Sequence, residues 1–158
     1  MLRQPCLPVL ARALDGARIT LPQSVRLALG SQAAVSAEPS GSILIASPRL
    51  WAQVLPQLQR QAAATHHAAE LFRLLAASES TVRVDVRGRL TVPPLLMEWA
   101  GLCPGHDAVL VVIGGAIQVW DPGRLSRLLR LANQMLRSLS THILREQLPL
   151  VEEVGTDD

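Results

Sequence analysis

Arg18-Ile19-Thr20-Leu21-Pro22 returns, 71 positions on, as Arg89-Leu90-Thr91-Val92-Pro93. Each copy follows a segment holding an aspartate and a glycine: Asp15-Gly16-Ala17 in the first, Asp85-Val86-Arg87-Gly88 in the second. Each then runs into a short apolar stretch, a turn, a β-type hairpin and a helix opened by proline. A repeat of this length means that one supersecondary unit was duplicated. It fixes the architecture, and it puts the basic residues of two loops in matched positions.

Working outward from the repeat, residues 11–14 and 18–21 are expected to be short strands around a tight loop, as are 81–85 and 89–92. Pro22 and Pro93 end those strands, because proline has no N–H for a continuing ladder. Short helices follow over 24–29 and 95–100, closed by Gly30 and Gly101 at positions that favour left-handed backbone. Residues 33–37 and 43–46 form one hairpin around Pro39-Ser40-Gly41, and 109–113 and 117–120 form another around Gly114-Gly115. Alternation is weak in 109–113, which predicts a strand buried on both faces.

Helices close each unit. Ser47-Pro48 and Asp121-Pro122 pair a capping acceptor with a proline preset for the first helical turn. The first helix carries Leu50, Trp51, Val54, Leu55 and Leu58 and is expected to kink at Pro56, and a second is expected over 62–77. The last presents Leu125, Leu128, Leu129, Leu136, Leu139, Ile143 and Leu144 at helical spacing, out to about Leu148. That face is more than a small barrel covers, and it predicts self-association.

With 158 residues, 49% of them hydrophobic, the chain is long enough for a real core. It has no apolar run of bilayer-spanning length and no signal-peptide pattern at its start, so a cytoplasmic protein is expected. Cys6 and Cys103 read as buried thiols of a reducing compartment in preference to a disulfide. All 15 basic residues are arginine. Five of the 13 acids lie in the last 13 residues, which leaves 15 arginines against eight acids, or +7, over residues 1–145. An arginine-rich body suits phosphate and base-edge contacts, although replacement of lysine in a GC-rich genome produces the same composition.

The segment from Val84 to Pro93 resembles the Asp-x-x-x-Arg signature of AbrB-type swapped-hairpin DNA-binding domains. Two such units in one chain, the second running into Gln118-Val119-Trp120-Asp121, are similar to the MraZ family, whose start Met1-Leu2-Arg3 also fits. The resemblance spans about residues 1–148. It implies an α+β fold: a duplicated AbrB-like swapped-hairpin β-barrel with flanking helices, in a first repeat over 1–78 and a second over 79–148, ahead of an acidic tail at 149–158. It also implies a ring-shaped homo-oligomer that binds promoter direct repeats in double-stranded DNA. The expected role is transcriptional repression of the division and cell-wall gene cluster.

DNA contact is expected from Arg87, Arg89, Arg18, Arg12 and Arg3, and loop structuring from Asp85, Gly88, Asp15 and Gly16. Arg89 is read equally as a DNA contact and as the partner of Asp85, whereas Arg87 has no evident partner. The first loop is one residue shorter: Gly16 aligns with Arg87 and Ala17 with Gly88. No enzyme, cofactor, metal, membrane or small-molecule substrate is expected. His66, His67 and Glu70 make at most half a metal site and read better as a solvated face. Trp51, Trp99 and Trp120 read as packing residues. An AbrB-fold antitoxin and an oligomeric scaffold that has lost DNA binding are the alternatives.

Overall fold

The computed structural model describes the backbone of residues 9–147 and the side chains of residues 12–142. Arg3, Cys6 and the acidic tail lie outside the described residues. The chain divides into two compact units, Met1–Arg124 and Leu125–Asp158. The fold is mixed α+β. In chain order, the first repeat supplies β1 (Val9–Ala13), β2 (Arg18–Thr20), α1 (Gln23–Leu29), β3 (Gln32–Glu38), β4 (Ser42–Ala46), α2 (Pro48–Ala62) and α3 (His66–Ser78). The second supplies β5 (Ser80–Arg83), β6 (Arg89–Thr91), α4 (Pro94–Ala100), β7 (Asp107–Ile113), β8 (Ala116–Trp120) and α5 (Pro122–Gln147).

Four of the six strand pairings cross between the repeats, and the hairpins β3–β4 and β7–β8 are internal. The six-stranded antiparallel sheet has the order β1-β7-β8-β4-β3-β5, and β2 and β6 form a separate two-stranded ribbon. Exchange each strand for its counterpart in the other repeat and the order reads the same from the opposite end. The central β4–β8 pair and the β2–β6 ribbon each join equivalent strands: Ile43 faces Val119 and Ile45 faces Ile117, while Arg18 faces Thr91 and Thr20 faces Arg89. Neither repeat satisfies its own edges. β1 finds its partner in β7 of the other half, and β5 finds its partner in β3. Each of these strands has its ladder partner in the other repeat, so the two halves complete one another.

Period two sets what goes inside. Ala33, Val35, Ile43, Ile45, Leu110, Ile117 and Val119 point from the sheet into one cluster, and Ile19, Leu21, Leu90 and Val92 enter it from the ribbon. Fully burying a side chain of this size contributes about 1.5–3 kcal/mol, so burial of its apolar side does much to hold the ribbon against the sheet. A second cluster of Ala34, Trp51 and Leu75 joins the opposite sheet face to α2 and α3. The interior strand β7, between β1 and β8, buries the adjacent Leu110 and Val111. This matches the loss of alternation there.

The caps form as the residue types dictate. Ser47 Oγ accepts from the Leu50 amide at 3.0 Å and Asp121 Oδ2 from the Arg124 amide at 3.0 Å. Gly30 and Gly101 close their helices at φ 70° and 64°. α2 is one element, Pro48–Ala62, with Pro56 inside it. Two expectations change. α3 starts at His66, not at residue 62, because Thr65 Oγ1 caps the Ala68 amide at 3.1 Å. Cys103 is an exposed free thiol, since it lies in the turn between α4 and β7 and not on a strand's inner face. In the second unit, Leu129, Leu131, Met135, Leu136 and Leu139 of α5 are exposed. No helix among the described residues is long and apolar enough to cross a membrane.

Candidate functional site

The ribbon has a polar outer face. Ile19 and Leu90 point inward and are 0% and 1% exposed. By alternation their neighbours Arg18, Thr20, Arg89 and Thr91 share the opposite face. Each arginine faces a threonine from the other repeat, which places the two arginines on a diagonal of the ladder, with β-carbons about 7 Å apart. The two duplicated phrases thus converge on one solvent-facing patch. Sequence reasoning missed Thr20 and Thr91, although the alternation Arg-x-Thr in both copies was the signal.

A loop flanks the patch at each end. In the first, the Asp15 amide donates to the Arg18 carbonyl at 3.0 Å and the Arg18 amide donates back at 2.9 Å, closing a two-residue turn over Gly16 and Ala17. Gly16 has φ 62° and Ala17 a negative φ. This is the II′ pattern, which needs glycine at its first central position. In the second, the Asp85 amide donates to the Arg89 carbonyl at 2.9 Å and the Gly88 amide to the Asp85 carbonyl at 2.9 Å, with Gly88 at φ 75°. That is the three-residue hairpin with left-handed glycine last. One residue of loop length has changed the turn type, and the required glycine has moved with it.

Asp85 is the organiser of the second loop. Its Oδ1 accepts from the Arg87 amide at 2.8 Å and the Arg89 amide at 2.9 Å, and its Oδ2 accepts from Arg89 Nε at 2.9 Å. The Arg89 amide does most to hold this carboxyl below the usual aspartate range. Desolvation opposes it, and the Arg89 side chain and the Arg87 amide reinforce it. Arg89 is therefore committed to the loop through Nε, while its side chain stays 29% exposed. Arg87, at the tip, is exposed, and its guanidinium takes no ion pair among the described residues. Val86 beside it is 98% exposed. In the first loop, Arg18 and Asp15 form an ion pair in the open.

The loops are also stitched to each other's strands. The Leu21 amide donates to the Gly88 carbonyl at 2.8 Å, and the Val92 amide donates to the Ala17 carbonyl at 2.9 Å. One contact was not anticipated: Arg26 of α1 donates from Nη2 to the Val86 carbonyl at 3.0 Å. Arg12 lies on β1, opposite Ala108, and is partly buried.

The other candidates stay apart from this site. His66 and His67 are exposed, and Glu70 pairs with Arg73 at 2.8 Å. No group of three ligating side chains that could hold a metal occurs among the described residues. Trp51 and Trp120 are buried, whereas Trp99 is 37% exposed with Nε1 donating to the Glu38 and Ser42 carbonyls at 3.1 and 3.2 Å.

Fold and site define a class: a mixed α+β protein in which two copies of one motif pair to present a single arginine-bearing ribbon face. No family model matches the chain. It is 32% identical over 108 residues to the transcriptional regulator MraZ of Nitrosospira multiformis, covering 66% of this chain and 72% of that protein. It is 29% identical over 119 residues to that of Leptothrix cholodnii, covering 72% and 78%. With that of Solidesulfovibrio magneticus it shares 36% identity over 61 residues, 39% of each chain. The chain belongs to the MraZ family.

Asp85 carries a pH prediction. An aspartate whose folded-state pKa lies below its unfolded value takes up its proton more readily in the unfolded chain. Its contribution is therefore complete above the ordinary aspartate pKa and is lost as pH falls through the lower, folded value. Asp85→Asn is expected to melt below the wild type at neutral pH, and the gap is expected to narrow as the pH falls into the acid range. Melting curves across that range check it; a constant gap would mean that the charge of Asp85 does not hold the loop.

Proposed function

We propose that this chain is a DNA-binding transcriptional regulator whose contact surface is the outer face of the β2–β6 ribbon with its two flanking loops. The observation that carries this reading is the convergence of Arg18 and Arg89, each facing a threonine from the other repeat, on one solvent-facing patch, with Arg87 exposed beside it. Arginine forks recognise phosphates and base edges bidentately, and hydroxyls add phosphate contacts. Arg87 and Arg89 are the main readers, Arg18 a weaker one, and Arg12 and Arg3 supplementary contacts. Gly88 and Gly16 set the turns; Asp85 and Asp15 hold the arginines beside them.

The protein acts as a repressor of the division and cell-wall gene cluster, binding promoter direct repeats as a ring of identical chains built from two AbrB-type repeats, 1–78 and 79–148. The relatives' names as transcriptional regulators support the regulatory part of this reading. The exposed leucines of α5 support the assembly, because surfaces of that kind seek a partner. A ring lets several weak sites engage a repeated array at once. Light scattering is expected to give a mass well above the 17.1 kDa of one chain, and Leu129→Gln with Leu136→Gln is expected to lower it. A monomeric wild type would exclude the ring.

DNA from upstream of the chain's own gene tests the contact surface. Arg87→Ala is expected to weaken binding by about 1 kcal/mol or more per contact and to reduce the salt slope, with little change in melting temperature. Arg89→Ala is expected to lower both affinity and melting temperature, because it leaves Asp85 without its partner. Arg18→Ala costs less affinity than Arg89→Ala. A loss for Arg18→Ala at least as large as that for Arg89→Ala, with the fold unchanged, would make the first loop the main reader.

A further inference from the structure

We propose that Arg26 is the positioning residue of the second loop: it reaches across from the first repeat and holds the Arg87 tip in its binding conformation before DNA arrives. The inference rests on the reading of that loop as a DNA contact and adds to it a device that makes the two repeats unequal.

The path is short and specific. The Leu21 amide bonds the Gly88 carbonyl, so the end of β2 lies beside the second loop. Pro22 turns the chain and α1 begins at Gln23. Arg26, one turn in, then lies over the loop, with Nη2 donating to the Val86 carbonyl at 3.0 Å. Its guanidinium and Cδ occupy the space beside the Gly88 α-carbon, where any β-carbon would collide with them. Gly88 is thus required twice: for its positive φ of 75°, and for the room it leaves Arg26. A planar cation laid against glycine and bonded to the next carbonyl but one restrains the exposed tip, adding a side-chain contact to the Asp85 carboxylate and the backbone bonds at Gly88.

The same position in the second repeat is Met97, which is buried in the core. The first loop is held instead by backbone: the Gly105 amide donates to the Gly16 carbonyl at 3.1 Å. Two turns of different length therefore have their outer carbonyls fixed by different means, one by a main-chain amide and the other by a side chain that a single substitution removes. A loop ordered in advance spends less of its contact energy on ordering when it binds. The second loop is accordingly the preorganised reader.

Arg26→Met, which gives both repeats the same residue at this place, tests the proposal on the full-length protein with duplex DNA from upstream of its own gene. It is expected to weaken binding about as much as Arg87→Ala, roughly tenfold. In the Arg26→Met/Arg87→Ala double variant the losses do not multiply, whereas with Arg18→Ala they do. Arg26→Lys recovers part of the affinity, because an ammonium reaches the Val86 carbonyl but does not lie flat on Gly88. Hydrogen exchange at the Arg87, Gly88 and Arg89 amides is expected to quicken in Arg26→Met and to stay unchanged at the Arg18 amide. Wild-type affinity in Arg26→Met, or losses that multiply with Arg87→Ala, overturns the proposal. If Arg87→Ala itself binds as the wild type does, the loop is not a reader and the functional reading fails. Exchange then decides the role of Arg26, and unchanged exchange in Arg26→Met rejects it.

Discussion

The structure depends on the pairing of β2 with β6, six residues that join the two repeats at their duplicated motif. Its register sets Arg18 against Thr91 and Thr20 against Arg89, and two reciprocal backbone bonds extend it into the loops, Leu21 to Gly88 and Val92 to Ala17. Each repeat thus supplies the strand end against which the other repeat's loop is built. A ribbon of two three-residue strands is not stable alone in water. It persists because Ile19, Leu21, Leu90 and Val92 are in the common core. Core burial, strand register and loop geometry are therefore a single constraint, and the polar patch is its outer surface.

Duplication brings symmetry, and the chain has departed from it where function is expected. A two-residue turn corresponds to a three-residue one, an ion pair in the open to a carboxylate that accepts three hydrogen bonds, and Arg26 to Met97. The helices after the two hairpins differ as well: α2 and α3 follow the first and pack on it through Trp51 and Leu75, whereas the single helix α5 follows the second. Two equal loops would give the ribbon's outer face two-fold symmetry, and the unequal loops remove it.

Much of this was legible in the residues. The repeated phrase announced two equivalent units. Alternation placed the strands of both hairpins within a residue or two, and Pro22, Pro93, Ser47-Pro48 and Asp121-Pro122 marked where strands end and helices begin. Asp85 and Arg89 were readable as partners because they bracket one tight loop. What stayed hidden was mostly long-range. Alternation says which face is buried but not which strand lies alongside, so the exchange of edges between repeats came only from family resemblance. Arg26 was hidden for the same reason: its partner Val86 is 60 residues away, and α1 alone gives it no special place. Cys103 misled because apolar composition suggests burial while its position in a turn decides otherwise.

Mutual completion of the two halves is the central claim, and separating them tests it most directly. Residues 1–78 and 79–158, produced as two polypeptides and examined by circular dichroism and light scattering, are each expected to lack a folded monomeric state. Mixed in equal amounts, they are expected to form a one-to-one complex with a single cooperative melt. Either half folding alone as a monomer would contradict the account, because it would mean that a repeat can satisfy its own strand edges.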